Sequence, residues 1–376
     1  MEQTCEGSTI LPQEIIFEIF LRLPMKSLLK FRCVSKSWFF LLSSPLFSKT
    51  HVDFCLKNPN LTGYRLAVVA SVYGSGRKCN FYNLGFENSC LSLARNSCPV
   101  KSLAISARIL GSCNGLICLT SDSFTLMLLN PCTGKFNVFP DSMLRSNGGV
   151  GVGGSGVGCF IRYGFGYDAS FEDYKVVKIF SFPHIEGRYE NMVNVYSLKA
   201  KSWKMIEGFN SGSFNGKAGV FVNGALHWEA CHSHCSGSFW EIVTLDLAAE
   251  SYGKIALPSY EDGGVYWTLS VSRGYLVGCC NYEKNKADVW VMKEYGVEES
   301  WTKLVTILLP VDRRAYILPL FVAENCDEFL LQLGEELALY NSRDGSYKRL
   351  DGYSSGDYFR QAQATTYFES LVSPHM

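Results

Sequence analysis

The sequence predicts two unequal parts: a short α-helical module of three helices within residues 10–50, then a large all-β domain over residues 51–376. Three observations carry this expectation. Helical periodicity of apolar residues is confined to the first part of the chain. The 34 glycines and 14% aromatic residues favour strands joined by tight turns. A strand–turn–strand unit recurs roughly every 50 residues through the remainder.

The segment LPQEIIFEIFLRLP (11–24) sets Ile15, Ile16, Ile19, Phe20 and Leu23 at the i, i+1, i+4, i+5, i+8 spacing of one helix face. Pro12 suits a first turn, where its missing N–H costs nothing, and Glu14 favours the positive end of the helix dipole. Pro24 stops this helix. A second short helix is expected from MKSLLKFRCV, with Leu28, Leu29, Phe31 and Val34 apolar. Ser35 can cap a third, KSWFFLLSS, which carries Trp38, Leu41 and Leu42 on one face and ends at Pro45. Three helices in about 40 residues cannot bury all this surface among themselves. The leftover face meets either the following domain or another protein.

The string LPQEIIFEIFLRLPMKSLLKFRCVSKSWFFLLSSPLF resembles the F-box of plant F-box proteins. The shared pieces are Leu11-Pro12, Glu14-Ile15-Ile16, Leu23-Pro24, Lys26-Ser27-Leu28, and the run from Arg32 to Trp38. The resemblance implies docking to the acidic Skp-family adaptor of a Skp–cullin–F-box ubiquitin ligase, and through it to the cullin and RING subunits. It assigns adaptor contact to Leu11, Pro12, Ile15, Ile16, Ile19 and Phe20 of the first helix, and to Leu28, Leu29, Val34 and Ser35 further on. Trp38 is expected to fasten the module's own core. Local charge agrees, because residues 10–50 hold six basic and two acidic residues in a chain whose 35 basic and 35 acidic residues cancel.

In the β domain the recurring unit is an apolar strand, a polar turn, and a strand led by an aromatic residue. It reads LLNPCTGKF (128–136), VYSLKAKSW (195–203), LDLAAESYGKI (245–255), VWVMKEYGVEESW (289–301) and LYNSRDGSYKRL (339–350). The leading aromatics are Phe136, Trp203, Tyr252, Trp301 and Tyr347. A second hairpin element recurs between them, as CNGLICL (113–119), VNGALHW (222–228) and VSRGYLVG (271–278), with Asn114-Gly115 and Asn223-Gly224 as tight-turn dipeptides. Two strand pairs per period are what a kelch-like β-propeller blade requires. Five periods are legible. A sixth is expected from strands near 64–82 joined by a C-terminal strand in ATTYFESLV (364–372), which closes the ring and removes its exposed edges. This region also resembles the F-box-associated domain of plant F-box proteins, through SCNGLICL, YGFGYDASFEDYKVVKI, VNGALHW and YFESLVSP. The pollen S-locus F-box proteins, which recognise style ribonucleases, share this layout.

The balanced charge supplies no global field for nucleic acid or membrane. The first ten residues show no signal-peptide pattern, residues 1–9 are expected to be a flexible lead-in, and no apolar run approaches the length that spans a bilayer. The fifteen cysteines are therefore expected to be free thiols in a cytoplasmic or nuclear protein.

Three motifs compete with this reading. GGVGVGGSGVG (148–158) has the GxGxxG spacing at Gly149, Gly151 and Gly154, but a strand rather than a helix is expected next, so no nucleotide cofactor follows. CHSHC holds Cys231, His232, His234 and Cys235, whose closeness suits an exposed loop better than a zinc site. None of the six histidines lies in a recognisable catalytic setting, and Asp168 and Asp246 are expected to brace turns. The sequence thus favours a non-catalytic substrate adaptor without cofactor or metal. Its target would be met by the connections 144–159, 183–191, 208–217, 229–239 and 259–266. A propeller enzyme and a Skp-bound scaffold outside any ligase are the alternatives.

Overall fold

The computed structural model describes residues 11–58, 63–71, 78–87, 90–92, 103–104, 107–120, 125–141, 159–183, 188–214, 216, 218–234, 237–261, 264–282, 286–308, 316–350 and 360–375. The lead-in at 1–9 and the glycine-rich 148–158 lie outside these residues.

Four helices, not three, form the N-terminal part: α1 (Gln13–Leu21), α2 (Met25–Phe31), α3 (Lys36–Ser43) and α4 (Pro45–Lys57). Pro12 is the N-cap of α1 rather than part of its first turn, and its carbonyl accepts from the Ile15 and Ile16 amides. Ser35 caps α3 as expected, its Oγ accepting from the Trp38 amide at 3.2 Å. Pro45, read from the sequence as a stop, instead opens α4. Ser44 caps that helix through the Phe47 amide at 3.1 Å, and proline at the first helical position gives up no hydrogen bond. The helices close around Phe20, Leu21, Met25, Leu28, Leu42 and Phe47. Trp38 packs edge-on against Phe20 at 5.0 Å and near Phe31 at 5.4 Å, which places it with this core.

The β domain is a ring of six antiparallel blades, numbered here in chain order. Blade 1 combines Tyr64–Ser71, Lys78–Glu87 and Cys90–Ser92 with the C-terminal strand Arg360–Phe368. Blades 2 to 6 begin with the inner strands Ile109–Cys113, Phe160–Asp168, Ala218–Val222, Gly264–Ser272 and Ile317–Val322. Each is followed by three further antiparallel strands. The inner strands line up around the axis, with Arg360–Phe368 standing between those of blades 2 and 6. The expected closure is present: Arg360–Phe368 pairs antiparallel with Tyr64–Ser71, Tyr64 opposite Phe368 and Val68 opposite Ala364.

All five recurring units are the outer hairpins of blades 2 to 6; four of the leading aromatics open the fourth strand, and Trp203 is the second residue of its own. A physical rule underlies the repeat. In blades 2, 3, 4 and 6 the turn starts at a short polar residue and places the residue four positions later at positive φ: Asn130 and Gly134 (71°), Ser197 and Lys201 (51°), Asp246 and Glu250 (52°), Asn341 and Gly345 (70°). Asn130 and Asp246 each accept two turn amides on one side-chain oxygen. Asp168 does the same between the first two strands of blade 3 and pairs with Lys175 at 2.8 Å, so both aspartates brace turns.

The Asn-Gly dipeptides form the inner hairpin turns, with φ of 50° and 80° at Asn114-Gly115 and 50° and 79° at Asn223-Gly224. Their surroundings differ. A Cβ on Gly115 would sit 2.2 Å from Ser370 Oγ, whereas one on Gly224 would meet nothing within 4 Å. Gly224→Ala is therefore expected to cost about 1 kcal/mol from backbone strain alone. Gly115→Ala should cost about 2–4 kcal/mol, because it also displaces the C-terminal segment. Urea unfolding midpoints of the two variants check the ordering.

Helix α4 joins the two parts. Its buried face is Phe47, Ser48, His51, Val52 and Cys55. Phe47 belongs to the helical core, while Val52 and Cys55 enter the core of blades 2 and 3. Lys49 pairs with Glu172 in the first turn of blade 3, and Ser48 Oγ donates to the Leu371 carbonyl at 3.3 Å. Leu371 is itself buried with the helical core.

Candidate functional site

Two faces of the propeller follow from strand direction. Within each antiparallel blade the turns between strands 1 and 2 and between strands 3 and 4 share one end. The turns between strands 2 and 3 and the links to the next blade share the other. The helical module sits at the first end, as the contacts of Lys49 with Glu172 and of Leu371 with the module's core require. All five connections expected to meet a target leave the strands at the opposite end, called the far face below. Two of them are more regular than expected: 208–217 includes the end of strand Ser202–Ser211, and 229–239 is mostly the paired strands Ala225–His234 and Gly237–Asp246. Of the first, residues 144–158 lie outside the described residues.

Apolar exposure is concentrated on the helical module, which holds eight of the twenty large apolar side chains exposed among the described residues. Leu11, Ile15 and Ile19, spaced four apart, are 54%, 48% and 44% exposed and form a stripe along α1. Pro12 is also exposed, and Ile16 and Leu29 are half-buried. Val34 and Ser35 are exposed in the link from α2 to α3. Phe20 and Leu28, assigned to the contact surface by resemblance, are 2% and 0% exposed. They hold the surface up from beneath because their faces point into the four-helix core. Sequence reasoning missed Phe39 and Phe40, which stand exposed on α3 against each other at 5.8 Å, with the Arg32 guanidinium over Phe39. The signal was a pair of aromatics on α3 that lie off the face of Trp38, Leu41 and Leu42.

A channel of about 1340 Å³ runs through the ring, lined by the inner strands and met at the module's end by Val52, Asp53 and Leu56 of α4. Arg162, Glu229, Tyr266 and Tyr316 line it towards the far face. Glu229 is buried, and loss of solvent pushes its carboxyl up to about 7. The folded chain therefore retains a proton that the unfolded chain releases near 4.5, so this group's contribution to stability falls as pH rises across that window. Glu229→Gln escapes the penalty. It is expected to exceed wild type by about 2–3 kcal/mol at pH 8, with the gap closing towards pH 4.5. Paired urea titrations across pH read this directly.

His227 is buried between the Val220 carbonyl and the Tyr295 hydroxyl, and burial lowers it to about 4, so it is a neutral core residue. Cys231 and His232 lie in a strand, not in the exposed loop expected, and successive strand residues face opposite ways. The His232 ring stacks on Phe239 and its Nε2 lies 2.6 Å from Glu241. Cys235 lies outside the described residues. Among the described residues no three His, Cys, Asp or Glu side chains are placed to hold a metal.

Residues 9–50 match the F-box domain family, and residues 77–374 match the family described as the F-box associated beta propeller domain. The chain belongs to the F-box proteins that carry this propeller. Its relatives in Arabidopsis thaliana include F-box/kelch-repeat protein At3g23880, 30% identical over 97% of this chain and 96% of that protein. F-box protein CPR1 is 31% identical over 86% of this chain and 79% of its own length. F-box protein At4g22390 is 28% identical over 86% and 80%. In this F-box protein the family match ends at residue 50, while α4 runs on to Lys57 and into the propeller.

Proposed function

We propose that this F-box protein is the substrate-recognition subunit of a Skp–cullin–F-box ubiquitin ligase, docking to a Skp-family adaptor through α1 and the link from α2 to α3, and presenting a target protein on the far face. The supporting observation is the exposed stripe Leu11, Ile15 and Ile19, left uncovered by a module whose own core is complete. Covering such a stripe contributes roughly 25 cal/mol per Å² before the costs of association. The basic side chains Lys26, Lys30 and Lys36, exposed on the same module, suit an acidic partner.

In this role the chain does no covalent chemistry. It raises the effective concentration of target lysines near the ubiquitin thioester, and it works in the cytoplasm or nucleus. Co-expression of the full chain with an Arabidopsis Skp-family adaptor is expected to yield a complex stable to gel filtration. Added cullin and RING subunits should join it. Failure to form the first complex sinks the adaptor reading, and failure of only the second leaves a scaffold outside the ligase. The full chain is required because cutting at residue 55 would sever α4.

A further inference from the structure

The far mouth of the channel brings together residues from four consecutive blades. Arg162 stands two residues into the inner strand of blade 3, Glu229 on the second strand of blade 4, Tyr266 two residues into blade 5, and Tyr316 just ahead of blade 6. Two guanidinium nitrogens of Arg162 are tied to backbone, with Nη2 donating to the Phe214 carbonyl at 2.6 Å and Nη1 to the Ile161 carbonyl at 3.2 Å. These bonds fix the plane of the group. Its Nε is buried and has no hydrogen-bond partner among the described residues. Among the described residues no carboxylate forms a side-chain hydrogen bond with this guanidinium; Glu229, the nearby acid, acts on it only through its field and keeps its proton more readily because it is buried.

The surroundings are aromatic. Tyr266 and Tyr316 stack at 4.1 Å with Tyr316 55% exposed, and Phe160, over which Arg162 lies, is exposed beside Ile161. A half-buried cation held in a fixed plane, facing the channel without a paired carboxylate and with an apolar rim, suits a planar anion.

We propose that the far mouth of the channel binds an acidic peptide segment of the target, an Asp or Glu carboxylate meeting the channel-facing side of the Arg162 guanidinium while a neighbouring apolar or aromatic side chain packs on Tyr266 and Tyr316. The proposal rests on the reading of the far face as the target-binding side. The committed occupant follows from charge complementarity at Arg162 and from the aromatic rim.

The test is phage-displayed peptide selection on the immobilised full chain, followed by polarization titration of the selected peptides. Selected peptides are expected to share an Asp or Glu next to an apolar residue. Replacing that acid by Asn or Gln, or using the Arg162→Gln protein, should weaken binding at least about tenfold, since hydrogen bonds to charged groups are the strong ones. Tyr316→Ala, at an exposed ring, should also weaken it without touching the fold. A phosphoserine version binding more tightly than the carboxylate would overturn the choice of anion. Selection of no peptides, of peptides lacking an acid, or unchanged binding by a folded Arg162→Gln protein would overturn the site. Skp-adaptor capture by the same variants is measured in parallel and should be unaffected. Its loss in wild type would count against the ligase reading and not against the peptide site.

Discussion

Replacing Ile15 and Ile19 together by Glu is expected to abolish capture by a Skp-family adaptor while leaving the chain folded. Both side chains are about half exposed on α1, and glutamate is at least as good a helix former as isoleucine, so the helix itself loses only about 1 kcal/mol from like charges four apart and a carboxylate in its last turn. The cost falls on association. Covering the exposed half of one such side chain is worth roughly 1 kcal/mol, and burying a charge in its place adds a larger desolvation penalty. The pair should weaken binding by about a thousandfold or more. Phe20→Ala makes the contrast. Phe20 is enclosed with Leu28, Leu42 and Phe47, so that change should lower the melting temperature and reduce capture only through unfolding. Surface plasmon resonance for binding and circular dichroism for folding separate the two. Capture by the double variant within tenfold of wild type would mean that α1 is not the docking surface.

Removal of residues 358–376 should leave a chain with no cooperative unfolding transition. The deletion takes the inner strand of blade 1, exposes the edge of Tyr64–Ser71, and breaks the Arg65–Glu369 ion pair at 2.8 Å. It also removes the buried Tyr367, Phe368, Leu371 and Val372, and the two bonds from Asn130 Nδ2 to the Ser370 and Val372 carbonyls. At about 1.5–3 kcal/mol per buried side chain, the apolar loss alone is of the order of a domain's whole margin of about 5–15 kcal/mol. Differential scanning calorimetry of the truncated chain is the measurement. A sharp transition near the wild-type temperature would show that the ring does not depend on this closure.

Local patterns were legible wherever the physics is local. The outer hairpins could be found because four of the five turns are set within five residues by a polar side chain and a residue at positive φ. Helices α1 and α3 were visible because their apolar spacing is clean. Helix α4 was not, since Pro45 reads equally as an end or a beginning, and its buried face includes Ser48 and His51. Those polar groups blur the periodicity, and only the assembled fold shows what they meet. The closing strand was reached from the sequence by asking what would remove a free edge. The far-mouth cluster escaped because Arg162, Glu229, Tyr266 and Tyr316 are scattered over more than 150 positions. Aligning the inner strands of the blades would have put Arg162, Tyr266 and Tyr316 near one another, within two residues of a strand start.

Helix α4 contributes Phe47 to one core and Val52 and Cys55 to the other, which leaves no slack at the junction. On the proposed ligase reading, a target held on the far face would be carried at a set angle, as on a jig. Which of its lysines accepts ubiquitin would then be a matter of where each one falls relative to a stationary donor. Loosening α4, by Val52→Gly for example, should spread modification over more lysines rather than simply slow it.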